Sequence, residues 1–321
     1  MDKNEARPRR LLVLYNPAAG GRQRRRLAAW LSHLRALGAE VTLAETEAPR
    51  HAEALARAAN PSRLDAVAVA GGDGTINEAA NGLAESRLPL AVLPLGTANV
   101  LANEIGLPRR LADLARIAAF APARPVWPGE AIAESGKARR FLVMAGIGFD
   151  AEVVEHVDLA LKRYAGKLAY VASILGRLRD YRPSSYRAEI DGAVVEGASL
   201  VVAKAHFYGG RFVLAPEARL DQPSLHLAVF GRAGRGAALG YLAAMGLGRL
   251  QRCRSFSVLP GRSLHLPGPA GAPVQLDGDV LLRLPARIGI ASTPLQLIQP
   301  ELGVPAAVVE EERPRAVALA G

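Results

Sequence analysis

Cysteine is nearly absent from this chain of 321 residues: Cys253 is the only one. An internal disulfide is excluded, and no second thiol is available to build a zinc site. Cys253 is read as a small buried residue. No run of about eighteen uncharged apolar residues occurs, as a membrane-spanning helix would need. The opening Met1-Asp2-Lys3-Asn4-Glu5 lacks the apolar core of a signal peptide, so the sequence predicts a cytoplasmic protein. Aromatic residues make up only 5% of the chain, and neither a zinc-finger spacing nor an aromatic RNA-binding signature is present, which argues against nucleic acid as a partner. The six histidines, His33, His51, His156, His206, His226 and His265, show no metal-ligand spacing, and no nucleophile-elbow serine accompanies them.

Half of the residues are hydrophobic, enough for a large core, and the length points to about two domains. The formal charge is +10 and the pI is near 10.2. Such a surface attracts phosphates and anionic lipid headgroups. The basic residues, mostly arginine, are spread along the chain, so charge by itself selects no ligand.

From Arg10 to about Phe120, short apolar runs alternate with amphipathic stretches, the pattern of an open parallel α/β sheet. Strands are read at 11–15, 40–44, 65–70 and 90–95. Between them Leu27, Trp30, Leu31, Leu34 and Leu37 recur at helical spacing, as do Ile76, Ala79, Ala80 and Leu83. A proline-containing stretch, 121–129, marks a change of style. Beyond it, short alternating segments near 141–145, 186–190, 199–205, 225–230, 255–266 and 274–290 predict an antiparallel β-sandwich. Two helical stretches interrupt this half, 157–179 and 237–250, each with apolar and basic faces that suit either a core or a lipid surface. The domains are thus expected at 1–124 and 125–304, with the last strand returning to the first sheet and 305–321 a mobile tail.

The strongest chemical signal is Gly71-Gly72-Asp73-Gly74-Thr75-Ile76-Asn77, which follows the apolar strand 65–70 and opens a helix. Its glycines let the backbone turn and approach a ligand, and amides at a helix N-terminus point at negative charge, which suits phosphate. Asp73 would repel a bare phosphate and makes sense beside Mg²⁺. Thr75 either caps the helix or meets phosphate. Gly96, Thr97 and Asn99 follow the next strand, and Asn16-Pro17-Ala18-Ala19-Gly20-Gly21 ends the first one. Open parallel sheets bind ligands at that edge.

These loops, with Met144 to Ala151, Tyr208-Gly209-Gly210 before Ala215-Pro216, and Leu276-Asp277-Gly278-Asp279, occur in an order that resembles the bacterial diacylglycerol kinase-like lipid kinases, relatives of sphingosine and ceramide kinases. The glycine loop alone is shared with NAD kinases; Leu93 to Pro108 narrows the match. The resemblance implies an NAD kinase-like α/β domain that binds ATP, a β-sandwich beside which the lipid enters, and reaction in the cleft between them. It implies that Asn16, Pro17, Ala18, Ala19, Gly20, Thr46, Gly71, Gly72, Asp73, Gly74, Thr75, Ile76, Asn77 and Thr97 line the ATP site, and that Asp73 helps hold Mg²⁺ through the phosphates. Asp277-Gly278 by itself reads as a hairpin turn; the resemblance instead makes Asp277 or Asp279 the base that accepts the proton of the attacking hydroxyl.

The chain departs from its relatives at two points. Asp279 stands where most have Glu, and one methylene fewer shifts the carboxylate by about 1.5 Å. Gln222-Pro223 stands where an acidic residue and Gly are usual, in a segment that the resemblance assigns to a structural Mg²⁺ at Arg219, Gln222 and Ser224. A neutral amide is a poor Mg²⁺ ligand, so the sequence argues against that ion, with Asp221 as the available substitute. The resulting expectation is an ATP- and Mg²⁺-dependent kinase for a lipid hydroxyl, on diacylglycerol, phosphatidylglycerol or a sphingoid base. Weak contact through basic residues would hold it transiently at the inner face of the membrane, as monomer or homodimer. A kinase for a soluble metabolite such as NAD, and an inactive nucleotide- or lipid-binding regulator, are the rival readings.

Overall fold

In a computed structural model of the chain, the described residues are 7–17, 21–155 and 185–300. The helical stretch expected at 157–179, the tail 305–321, and Ala18, Ala19 and Gly20 lie outside them.

The first layer is a six-stranded sheet. Its strands β1 (Arg10–Tyr15), β2 (Glu40–Glu45), β3 (Ala66–Gly71) and β4 (Leu90–Pro94) run parallel in the order β2-β1-β3-β4. The sheet continues through β20 (Leu295–Ile298), parallel to β4, and β5 (Ala123–Val126), antiparallel to β20. β3, Ala-Val-Ala-Val-Ala-Gly, is buried along its whole length because helices cover both faces. On one face α1 (Gly21–Ala36) presents Leu27, Trp30, Leu31 and Leu34, and α5 (Leu111–Phe120) packs beside it. On the other lie α2 (His51–Arg57) and α3 (Asp73–Gly82). The short α4 (Val100–Glu104) follows the loop after β4.

The rest of the described chain is mainly β. One antiparallel sheet contains β6 (Gly129–Ala133), β7 (Ala138–Phe141), β9 (Tyr186–Ile190), β10 (Ala193–Gly197), β16 (Leu264–Leu266) and β19 (Ala286–Ile290). The other contains β8 (Met144–Gly148), β11 (Ser199–Ala203), β14 (Leu225–Phe230), β15 (Phe256–Gly261), β17 (Pro273–Leu276) and β18 (Asp279–Arg283). Their inner faces share a core that includes Phe141, Ile147, Leu200, Leu227 and Ile288, so the fold is the expected α/β unit joined to a β-sandwich. A hairpin of β12 (Phe207–Tyr208) and β13 (Phe212–Val213), with helices α6 (Phe149–Glu155) and α7 (Arg235–Gly246), completes it.

Three expected strands are broken, each for a local reason. The strand at 141–145 is interrupted because the amides of Leu142 and Val143 donate to the Asp277 carboxylate instead of to a neighbouring strand. The strand at 255–266 is split where the Arg262 and Ser263 amides donate to Asp191. The stretch 274–290 is cut by the turn at Asp277-Gly278 and again between β18 and β19.

Candidate active site

Because β1 to β4 are parallel, the loops after them share one edge of the sheet. The Asn16 amide donates to Thr75 Oγ1 at 3.3 Å, and the Thr46 amide donates to the Tyr15 carbonyl at 2.8 Å. These contacts tie the loops after β1 and β2 to the glycine loop and to each other. Gly72 and Gly96 touch backbone to backbone: a Cβ on Gly96 would lie 2.6 Å from the Gly72 Cα, which only glycine permits. Asn99, in the left-handed region at φ 48°, closes its loop by accepting from the Gly96 amide and donating to the Gly96 carbonyl, both at 2.8 Å. Thr97 is exposed at this edge.

Asp73 joins the two glycine loops. Its carboxylate accepts from the Val100 amide at 3.1 Å and the Leu101 amide at 3.2 Å, capping α4. Burial pushes its pKa up while these amides pull it down. Asp73 thus clamps the two loops together. Two other residues expected to line the nucleotide point elsewhere. The Ile76 side chain is buried in the apolar core. The Asn77 side chain donates to the Arg140 carbonyl at 2.9 Å and to Asp277 at 2.7 Å, and Asn81, one turn on, also bridges to Arg140. The polar face of α3 is thus a strut against β7.

Asp277 and Asp279 separate cleanly. Asp277 (φ 50°) and Gly278 (φ 93°) form the two-residue turn between β17 and β18, and positive φ at both positions is the requirement of a type I′ hairpin. The Asp277 carboxylate is buried and accepts from the amides of Leu142, Val143 and Met144 and from Asn77, at 2.7 to 2.9 Å. Burial pushes its pKa up to about 6 against these donors. A carboxylate so engaged holds structure. Asp279 is exposed and lies against the glycine loop: a Cβ on Gly74 would sit 2.6 Å from its Oδ2. Its charge is also felt by Glu78, whose pKa burial raises against the amides of Arg50 and Ala52, with a smaller push from Asp279.

The loop that the resemblance assigns to a structural Mg²⁺ holds a different cation. The carbonyls of Arg219, Gln222 and Ser224 do converge, but on the Lys204 ammonium, which donates to them at 2.7, 2.7 and 3.2 Å. Asp221 bonds nothing there and acts on Lys204 only at longer range. Mg²⁺ needs oxygens at about 2.0–2.1 Å in octahedral array, so these residues do not fit the ion while Lys204 fills the cage. Among the described residues, no group of three His, Cys, Asp or Glu side chains could hold a metal elsewhere.

Lys204 and Gln275 belong to no motif legible in the sequence, and Asp150 is legible there only as part of the stretch Met144 to Ala151. Asp150, in α6, is buried; it accepts from the Tyr208 hydroxyl and, at 2.7 Å, from Gln275 Nε2, and burial pushes its pKa up. The Gln275 Oε1 accepts from the Gly278 amide at 2.8 Å, which links Asp150 to the turn that carries Asp279. Gly146 leaves room for this pair: a Cβ there would lie 1.9 Å from the Asp150 carboxylate. Asp150 also borders an apolar cavity between α6, α7 and the β11 and β14 strands, lined by Val153, Val201, Phe230, Leu242 and Met245. Alternation along the sequence carries no signal for the contacts of Asp150, because Tyr208 and Gln275 lie 58 and 125 residues away from it.

Residues 10–130 match the diacylglycerol kinase catalytic domain. Residues 143–299 match the YegS C-terminal NAD kinase beta sandwich-like domain. Among curated proteins, the chain is similar to a diacylglycerol kinase of Bacillus subtilis, 31% identical over 70% of this chain and 75% of that protein. It is 35% identical to a Pseudomonas aeruginosa protein named "Probable lipid kinase YegS-like", over 71% and 73% of the two chains. A solved Bacillus anthracis structure assigned as a diacylglycerol kinase superposes with a TM-score of 0.74 at 22% identity, covering 93% of this chain and 98% of that one. That last likeness is one of fold.

Proposed function

The chain belongs to the family of diacylglycerol kinases and YegS-like lipid kinases, phosphotransferases with an alcohol acceptor, and from that premise we propose that it transfers the γ-phosphate of ATP to a lipid hydroxyl. The observation that carries the reading is the place of Asp279: against Gly74 of the phosphate loop, and on the same turn that Gln275 ties to the apolar cavity. Asp279 thus borders the glycine loop, and two hydrogen bonds link its turn to Asp150 on the wall of the apolar cavity.

The amides of Gly71 to Thr75, at the start of α3, would receive the nucleotide phosphates. Thr46, Thr97 and Asn16 surround that edge. Mg²⁺ carried by those phosphates, beside Asp73, would supply neutralisation of their charge. Asp279 accepts the proton of the lipid hydroxyl as its oxygen bonds to the γ-phosphorus; the bond from that phosphorus to the β,γ-bridging oxygen breaks and ADP leaves. Asp150 and Tyr208, at the cavity wall, orient the polar end of the lipid while the acyl chain fills the apolar space.

The lipid must be drawn from a membrane. Among the described residues no helix is long and apolar enough to cross one. A surface contact is supported by Phe212 and Val213, exposed at the β13 hairpin beside Arg211, and by Leu247, 70% exposed. Gln251 donates to the Val213 carbonyl at 3.2 Å and holds the exposed Arg249 and Arg252 near that hairpin. Apolar side chains among arginines suit an anionic leaflet on the cytoplasmic side.

The test is a competition between acceptors. Labelled Mg²⁺ATP is offered mixed micelles of diacylglycerol, phosphatidylglycerol or a sphingoid base, together with NAD in the aqueous phase. Label in the organic extract is expected; label on NAD alone contradicts the proposal.

A further inference from the structure

Lys204 directly follows β11, whose residues Ser199 to Ala203 are all buried, and it is itself 0% exposed. A lysine so placed requires partners for its charge. It finds them in the loop before β14, where the ammonium's donors meet the carbonyls of Arg219, Gln222 and Ser224. An ammonium has three N–H bonds and no acceptor, so the cage satisfies it fully. The carboxylates of Asp221 and Glu104 add favourable longer-range charge. This is the arrangement of oxygens around a bound cation, with the cation supplied by the chain itself.

We propose that Lys204 is a tethered replacement for a loop metal ion: its ammonium organises residues 219–224, and this chain holds the loop closed without any divalent cation there.

The consequence reaches the nucleotide edge through named contacts. The caged loop fixes Arg219, whose guanidinium donates to His206 Nε2. His206 Nδ1 then donates to Glu104 at 2.5 Å, and the His206 amide donates to the same carboxylate at 3.1 Å. Glu104 ends α4, and the start of α4 is capped by Asp73 of the glycine loop. The Leu220 carbonyl also accepts from the Trp127 amide at 2.8 Å, pinning the loop to the chain between β5 and β6. Lys204 is therefore a positioning residue, set three contacts behind α4.

Thermal melting of the nucleotide-free protein tests this without reference to any substrate, so it stands or falls apart from the kinase reading. The wild-type Tm is expected to be the same, within about 1 °C, in chelator and in millimolar Mg²⁺. Lys204→Met keeps the side-chain volume and removes the charge; its Tm is expected to fall by about 5 °C or more. In Lys204→Ala, ethylammonium is expected to raise the Tm where ethanol does not. A wild-type Tm that drops several degrees in chelator would overturn the proposal even if neither variant folds. So would a Lys204→Met protein that melts like wild type, or equal rescue by the amine and the alcohol.

Discussion

At the scale of single residues, two aspartates in one turn have opposite fates. Asp277 faces inward onto the amides of residues 142–144 and Asn77; Asp279, two residues on, faces the loop at Gly74. Asp277→Asn replaces a charged acceptor with an amide that must turn its own N–H groups toward donors. The expected loss is about 2–3 kcal/mol of stability, measured by urea denaturation, whereas Asp279→Asn is expected to leave the urea midpoint unchanged. The sequence left these two residues undivided because the donors that claim Asp277 are backbone amides, which have no sequence signature. Lys204 was invisible for the same reason: its cage is made of carbonyls. The departure at Gln222 was readable, and its physical meaning, that no carboxylate is needed where a lysine supplies the cation, emerged only when β11 and the loop were brought together.

At the scale of elements, the first sheet was legible because its glycines have mechanical work at strand ends, and its Ala-Val strands can only be buried. Its lower edge carries a pH-sensitive tie. Asp65, just before β3, accepts from the Arg10 amide at 2.8 Å and from its guanidinium at 2.8 and 3.1 Å, locking the start of β1 to β3. The side-chain hydrogen bond from Arg10, ahead of opposing burial, lowers the Asp65 pKa from 3.8 to about 2. A carboxyl whose folded pKa is depressed stabilises the fold above its unfolded pKa and loses that contribution as pH falls through the folded value. Melting curves of wild type and Asp65→Asn are therefore expected to differ at neutral pH and to converge between 3.8 and about 2; solvent exposure of the pair keeps the difference small. A constant gap across that window would contradict the tie. Strand ends in the sandwich were less legible, since Asp191 and Asp277 interrupt strands far from them in sequence.

At the scale of the whole molecule, the two halves meet where the chemistry is expected. Asn77 and Asn81 of α3 hold β7, Glu53 of α2 pairs with Arg139 of β7 at 3.2 Å, and Glu104 of α4 holds His206. The contacts between the halves are thus made by the same helices that follow the glycine loop and its neighbours, which alternation and helical spacing could not reveal. The net charge of +10 acts at this scale too. Cosedimentation with vesicles containing anionic lipid is expected at about 0.1 M salt and to be lost near 1 M, where the screening length falls to about 3 Å. Phe212→Ser with Leu247→Ser is expected to weaken it at low salt; binding that survives both changes would remove the proposed surface.

The central claim is that Asp279 serves phosphate transfer to a lipid hydroxyl. The most direct measurement is label transfer from Mg²⁺ATP to micellar lipid by wild type and Asp279→Asn in parallel, with ATP affinity read on the same samples. The expected result is a labelled phospholipid from wild type, and a kcat reduced about 100-fold or more in the variant with ATP affinity retained. Equal rates from the two proteins, or no labelled lipid from a wild type that binds ATP, would contradict it.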